Sequence, residues 1–397
     1  MKKPEILAPC STPESVTAAL NAGCDAIYIG GSAFGARAYA ENPSDDTLHE
    51  IIKTCALRGV KVFITLNTLY KENEIQKVLD FVEKVYSYGA YGLIVQDLGM
   101  VSLIKKYYPN IRISASTQMT VHNSDAIDML TEMGCSRIVL ARELGQKEIT
   151  DICSKKDNTE IEGFIHGALC VCYSGRCLMS SIIGQRSGNR GRCAQPCRME
   201  YSLLKDDKTL KSGYLLSPKD ISTAEILDKV LATGIDSLKI EGRMKTALYV
   251  ATVARTYRRA IDDYKQSPEL YREHMAWYQE QISNCTYRQF TTGFFFGKPS
   301  DEAQIYDNNT YVKEYTYLGI VGERNEEGLY RIEQRNKFSV GESIEVMKPD
   351  GANITVTVQR IVDEEGNDME SAPHPKQVLY IDLGQPLAMY DILRRKE

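Results

Sequence analysis

The chain has 397 residues, 43% of them hydrophobic and 25% charged, and a formal net charge of −5 at pH 7. That length buries a full core without help from disulfides or metals, and the composition excludes a disordered chain. The acidic balance excludes a protein coated in basic surface, and no stretch approaches the roughly 18 apolar residues that a membrane span needs. Met1-Lys2-Lys3 is followed at once by Pro4 and Glu5, and Ile6-Leu7-Ala8-Pro9 is far too short for the apolar region of a signal peptide. A cytoplasmic protein with no membrane anchor is therefore expected.

From the first residues, short β-branched runs alternate with helical patterns, which predicts βα units on a parallel sheet. Eight strands are predicted: Glu5–Ala8, Ala26–Ile29, Lys61–Leu66, Gly92–Val95, Arg112–Ala115, Arg137–Leu140, Ile161–Ile165 and Ser237–Ile240. The helices between them carry start and stop signals. Pro13 opens one that Gly23 ends, Ser44-Asp45-Asp46 opens another ended by Gly59, and Asn123-Ser124-Asp125 opens a third ended by Gly134. Three units share an ending: Asn21-Ala22-Gly23-Cys24-Asp25-Ala26, Glu132-Met133-Gly134-Cys135-Ser136-Arg137 and Ala232-Thr233-Gly234-Ile235-Asp236-Ser237 each lead into a strand. Eight units of this kind predict an α/β fold, a TIM-like (β/α)8 barrel over residues 1–300.

The spacing between strands seven and eight stretches to about 70 residues, more than one βα unit needs, so an insertion is expected at 168–218. It includes a predicted hairpin, with arms Met199–Leu204 and Leu210–Leu216 around the polar turn Lys205–Thr209. After strand eight, Tyr249, Val250, Val253, Tyr257 and Ile261 recur at helical spacing, which predicts a long helix over Thr246–Lys265. From about Tyr311 the pattern changes to short alternating strands with Gly-containing turns, predicting a small β-barrel domain over 310–397.

In such barrels the chemistry sits at the C-terminal ends of the strands. The residues there are polar: Asn67, Gln96 and Asp97, Ser116-Thr117-Gln118, Arg142-Glu143, His166, and Glu241 with Arg243. Together they predict a polar cavity, although about half of such positions are polar simply because they meet solvent.

The insertion holds the densest chemistry. Of the 11 cysteines, Cys10, Cys24, Cys55, Cys135, Cys153 and Cys285 are scattered singly, as small buried hydrophobes are. The other five lie between Cys170 and Cys197, among the arginines at 176, 186, 190, 192 and 198 and with no Asp or Glu from Arg176 to Arg198. Cys170, Cys177, Cys193 and Cys197 make a C-x6-C and a C-x3-C pair, and thiolates are soft ligands for zinc or iron-sulfur clusters. Structural zinc usually takes tighter pairs, so the spacing favours an iron-sulfur cluster. Cys172 sits too close to Cys170 for both to reach separate corners, and is read as a non-ligand.

Glu162-Gly163-Phe164-Ile165-His166-Gly167-Ala168-Leu169-Cys170 and Ser174-Gly175-Arg176-Cys177-Leu178-Met179-Ser180 resemble the signature of the collagenase-like peptidase family. So do Ala115-Ser116-Thr117-Gln118 and Lys239-Ile240-Glu241-Gly242-Arg243-Met244-Lys245, and the resemblance spans nearly the whole chain. Within that family the chain most resembles the prephenate-dependent enzymes that hydroxylate the wobble uridine of tRNA without oxygen. The resemblance implies a 4Fe-4S cluster on Cys170, Cys177, Cys193 and Cys197, with tRNA and the small dicarboxylate prephenate as partners. Some members place a cysteine after the Ser-Pro-Lys-Asp motif. Here Ser217-Pro218-Lys219-Asp220 is followed by Ile221-Ser222, so the C-x3-C pair must supply the last ligand.

On this reading Asn67, Asp97, Gln118, Arg142, Arg176 and Arg243 are the candidate substrate-binding residues, the arginines because a guanidinium grips a carboxylate in a bidentate fork. His166 and Glu241 are the candidate proton carriers. The loop from Arg186 to Arg198 and the C-terminal domain are the expected grip on RNA. Two rival readings stand beside it. One is the peptidase of the family's name, for which the sequence offers no G-x-S-x-G or H-E-x-x-H motif. The other is a non-catalytic redox or RNA-binding subunit of a homo- or hetero-oligomer.

Overall fold

The computed structural model describes residues 3–32, 34–36, 41–307 and 311–397. All eight predicted barrel strands form: β1 (Glu5–Pro9), β2 (Ala26–Gly30), β3 (Lys61–Leu66), β4 (Gly92–Val95), β5 (Arg112–Ala115), β6 (Arg137–Val139), β7 (Glu160–Ala168) and β8 (Ser237–Ile240). They pair in parallel in chain order, and β8 closes the ring against both β1 and β7. The fold is a closed (β/α)8 barrel with an antiparallel half-barrel at its C-terminal end.

The shared helix endings have a double role. Gly23, Gly134 and Gly234 take φ values of +78°, +95° and +82°, the left-handed turn that stops a helix and costs glycine least. Two residues on, Asp25 accepts the Ile6 N–H at 2.8 Å and Asp236 accepts the Ile161 N–H at 2.9 Å. The repeated motif thus ends one helix and caps the strand next door.

The N-terminal half of the barrel interior is charged, which the strand patterns did not suggest. Arg137, 2% exposed, donates to Glu5 at 2.6 Å, to Glu160 at 2.9 Å and to Glu162 at 3.1 Å. Lys239 donates to the other oxygen of Glu162 at 2.7 Å and lies over the Tyr28 ring, 4.6 Å from its centroid. Buried charges survive only when paired in this way.

The long helix spans Ala247–Gln266, with Thr246 as its N-cap through a side-chain bond to the Tyr249 N–H. Its Leu248 and Ala251, with Ala18, pack against Tyr317, Met347 and Ile392 of the C-terminal unit, and Arg335 reaches back to Glu14 at 2.6 Å. That unit is an eight-stranded antiparallel sheet running from Ile354–Thr357 at one edge to Asp368–Met369 at the other. It curls round a core that includes Leu318, Ile332, Phe338, Leu379 and Leu393.

The predicted hairpin forms with a tighter turn than expected: its arms are Tyr201–Lys205 and Lys208–Gly213. Asp206 and Asp207 both take positive φ, +49° and +59°, so two residues complete a turn whose twist matches the strands.

Candidate functional site

The insertion crosses the barrel mouth and is fixed to it on two sides. On the β5–β6 side, Glu143 accepts from the Ser174 N–H at 3.1 Å and from its hydroxyl at 3.2 Å, while Thr120 donates to the Ser174 carbonyl at 2.7 Å. Next door, Gly175 takes φ +78°, and a Cβ there would lie 2.1 Å from the Gln118 carbonyl oxygen. Only glycine admits this approach, a physical reason for the Ser-Gly-Arg sequence. On the β3 side, Arg190 grips Glu74 with both terminal nitrogens, at 2.6 and 3.0 Å, and donates to the Leu69 carbonyl at 2.8 Å. These contacts hold the Glu74 carboxyl down at about pKa 2, chiefly through the Arg190 hydrogen bonds.

The clustered cysteines lie in this arch. Cys170 and Cys193 are exposed, and Cys172, Cys177 and Cys197 are half-buried, whereas the six scattered cysteines are all buried, as expected for small hydrophobes. Cys172 has Cys177, Cys170 and Cys197 as neighbours, and Cys197 has Cys170, Cys193 and Cys177. Burial and then Cys177 push the Cys172 thiol up to about 11. Cys197 is raised by burial and by its neighbours Cys170, Cys193 and Cys177, against the opposing pull of Arg198. Among the described residues no three His, Cys, Asp or Glu side chains gather round a single-ion position.

The charge beneath the thiols is positive. Arg198 and Arg288 are each 5% exposed. With Lys245 they surround a single buried carboxylate, Asp220, whose pKa burial raises despite them. Arg198 is the cation that acts on Cys197 and Cys170, and soft thiolate donors beside a buried guanidinium fit an iron-sulfur cluster chemically.

The predicted strand-end residues divide. Arg142 and Glu241 do meet, at 3.4 Å, and the Arg142 guanidinium lies over the Phe164 ring, 3.7 Å from its centroid. Arg243, 3% exposed, donates to Thr65 at 2.9 Å and to Asn42 at 2.5 Å. Beside Asn42 is a cavity of about 250 Å³ between the loops after β2 and β3 and the insertion, reached by Thr68, Tyr70, Glu74 and Arg192. Asn67 accepts the Ala36 N–H at 2.9 Å near the same cavity. Gln118 lies under the arch with its side-chain oxygen unpartnered among the described residues.

Three expectations change character. Asp97 is the N-cap of the helix Leu98–Tyr107, accepting the Met100 N–H at 3.0 Å. Arg176 is exposed and turned to Thr120 at 3.1 Å rather than into the mouth. His166 is 1% exposed and surrounded by Tyr249, Tyr257 and Phe290 at centroid distances of 5.9, 5.7 and 5.3 Å. Burial, reinforced by Lys245, pushes its pKa down to about 3, so it is neutral and a weak base at neutral pH. The reason is a bulge. Lys239 pairs with Phe164 but Ile240 pairs with His166, so one extra residue in β7 turns His166 outward against the long helix.

Reading the sequence missed Arg190 with Glu74, Phe164 beneath Arg142, and the buried Arg198–Arg288 pair. Arg190 and Arg198 were visible only as basic residues in the insertion, and their counterparts Glu74 and Arg288 lie outside it, far off in sequence.

A larger groove of about 680 Å³ lies on the C-terminal half-barrel, lined by Lys337, Arg360, Asp368 and Glu370 among others. Its Arg360 is already paired with Asp368 at 2.6 Å and Glu327 at 3.4 Å. The mouth, where thiols, cations and the smaller cavity converge, is the chemically equipped site.

The pattern of peptidase family U32 matches residues 11–305, and that of the U32 C-terminal domain matches residues 313–394. Over 403 aligned residues the chain is 35% identical to tRNA hydroxylation protein P1 of Bacillus subtilis, covering 99% of this chain and 95% of that one. It is 40% identical over 261 residues to the 23S rRNA 5-hydroxycytidine C2501 synthase of Escherichia coli, covering 65% of this chain and 39% of that enzyme. It is 30% identical to a collagenase of Porphyromonas gingivalis over 79% of each chain.

Proposed function

The chain belongs to peptidase family U32, and from that premise we propose that it is an RNA-modifying enzyme. Its reaction is oxygen-independent hydroxylation of the tRNA wobble uridine to 5-hydroxyuridine, with prephenate as the oxygen source. The observation that carries this reading is the 35% identity, over 99% of this chain, with a protein named for tRNA hydroxylation, reinforced by a second relative named as a 5-hydroxycytidine synthase of 23S rRNA.

Cys170, Cys177, Cys193 and Cys197 are the residues that hold a 4Fe-4S cluster in this reading. Such a cluster supplies one-electron chemistry when bound. The protein's own residues do the rest. Arg142, pinned by Glu241 and Phe164, retains guanidinium donors for a carboxylate, and Arg192 and Arg243 flank the adjacent cavity. Glu241 is the strand-end group assigned to handle a proton, since His166 is buried and neutral. The exposed arginines of the arch meet the tRNA backbone.

The test is mass spectrometry of tRNA nucleosides from a strain lacking this protein and any redundant enzyme. The reading expects 5-hydroxyuridine derivatives to disappear, and their persistence rejects it. The collagenase relative favours a second reading, peptide hydrolysis. Release of fragments from denatured collagen by purified protein, abolished by a point change at the mouth, would support that instead.

A further inference from the structure

The insertion leaves the barrel and returns to it through a narrow neck. Its outgoing strand ends at Ala168, directly opposite Asp220 on the returning strand. Two buried arginines fill this neck. Arg198 donates from one terminal nitrogen to the Leu169 carbonyl at 2.8 Å, and from the other to the Ser217 hydroxyl at 3.1 Å and to the Pro218 carbonyl. One guanidinium therefore ties three segments together. They are the residue before Cys170, the returning Ser217–Pro218, and its own short 3-10 turn Pro196–Arg198, which carries Cys197. Arg288 completes the neck, donating to the Gln195 side chain at 3.3 Å and, through its backbone N–H, to Asp220 at 3.1 Å. Gln195 lies between Cys193 and Cys197.

The residue type matters. A planar guanidinium spreads its donors over a rigid fork and so reaches acceptors on separate segments, whereas an ammonium presents its three donors from one point on a flexible stem, and an apolar side chain has none. The acid that balances Arg198, Asp220, is shared with Arg288 and Lys245.

We propose that Arg198 is the positioning residue of the cysteine site: it clasps the neck so that Cys197 is held toward Cys170, and it supplies positive charge where thiolates gather. This rests on the metal reading given above. It assigns no chemical step to Arg198.

The experiment compares the full chain with Arg198→Met and Arg198→Lys, all purified without oxygen. Three quantities are read: bound iron and acid-labile sulfide, the alkylation rate of Cys197 in metal-free protein followed by mass spectrometry, and the far-ultraviolet circular dichroism. In Arg198→Met, the bound iron drops well below the wild-type level and Cys197 alkylates roughly tenfold faster, because opening of the neck outweighs the thiolate-stabilising charge that leaves with the guanidinium, with the dichroism unchanged. Arg198→Lys falls between, because it keeps the charge and loses the fork. Wild-type iron content together with a wild-type alkylation rate in both variants overturns the proposal. Loss of the folded dichroism in both variants also overturns it, because Arg198 would then be needed by the whole fold. If the wild-type chain itself takes up no iron, the metal reading falls, and the alkylation rate alone decides whether Arg198 positions the thiols.

Discussion

His166 gives the sharpest quantitative expectation. The perturbation is His166→Leu, close in volume and suited to the aromatic pocket of Tyr249, Tyr257 and Phe290. In the folded chain the imidazole pKa is pushed from 6.5 to about 3, while the unfolded chain keeps the ordinary value. The unfolded state therefore binds the extra proton, so stability is fully present above pH 6.5 and is lost as pH falls from there toward 3. At about 1.4 kcal/mol per pH unit, the loss reaches about 2 kcal/mol by pH 5 and about 5 kcal/mol near pH 3. The assay is urea unfolding of both proteins between pH 7.5 and 5. The difference between the two free energies cancels every other titrating group. The variant's acid limb should be shallower by about 2 kcal/mol over that range, with unchanged denaturant dependence. Parallel curves would refute the burial argument, and would return His166 to the list of proton carriers.

Three further outcomes follow from the same structure. Glu162→Gln strips the carboxylate shared by Arg137 and Lys239 deep in the barrel, and should cost about 3–5 kcal/mol in chemical denaturation, the range for an uncompensated buried charge. Arg190→Ala opens the latch to Glu74. It should leave global stability within about 1 kcal/mol while hydrogen exchange speeds up at Leu69, whose N–H bonds to the Asn189 carbonyl at 3.3 Å. Because Glu74 titrates at about 2, the wild-type latch should persist at pH 4 by the same measurement, weakening only as pH falls further. Cys172→Ala should leave bound iron unchanged and Cys177→Ala should lower it, as iron analysis of anoxically purified protein will report.

Much of the fold was legible because barrel strands leave strong local marks. β-branched runs, helix-ending glycines and the Thr246 cap all act within a few residues, and all eight strands and the long helix appear where these signals lie. The charged barrel interior was harder to see, since Glu5, Arg137, Glu162 and Lys239 sit on separate strands and pair only after the ring closes. Their one local trace is that charged residues open several of the apolar runs. The burial of His166 was hidden for a different reason. Alternation puts it on the same face as Phe164, and a bulge, which depends on the neighbouring strand, reverses that. The cysteine arch was legible as a cluster, whereas the clasp that shapes it joins residues about 30 and 20 positions apart, beyond any local pattern.

The central claim is that the clustered thiols serve RNA hydroxylation, and complementation tests it most directly. In a strain lacking this protein and any redundant enzyme, tRNA nucleosides are measured after return of the wild-type chain, Cys170→Ser or Cys197→Ser, each confirmed present as folded protein. The account predicts 5-hydroxyuridine derivatives with the wild-type chain alone. Full restoration by either cysteine variant, or none by the wild-type chain, would contradict it.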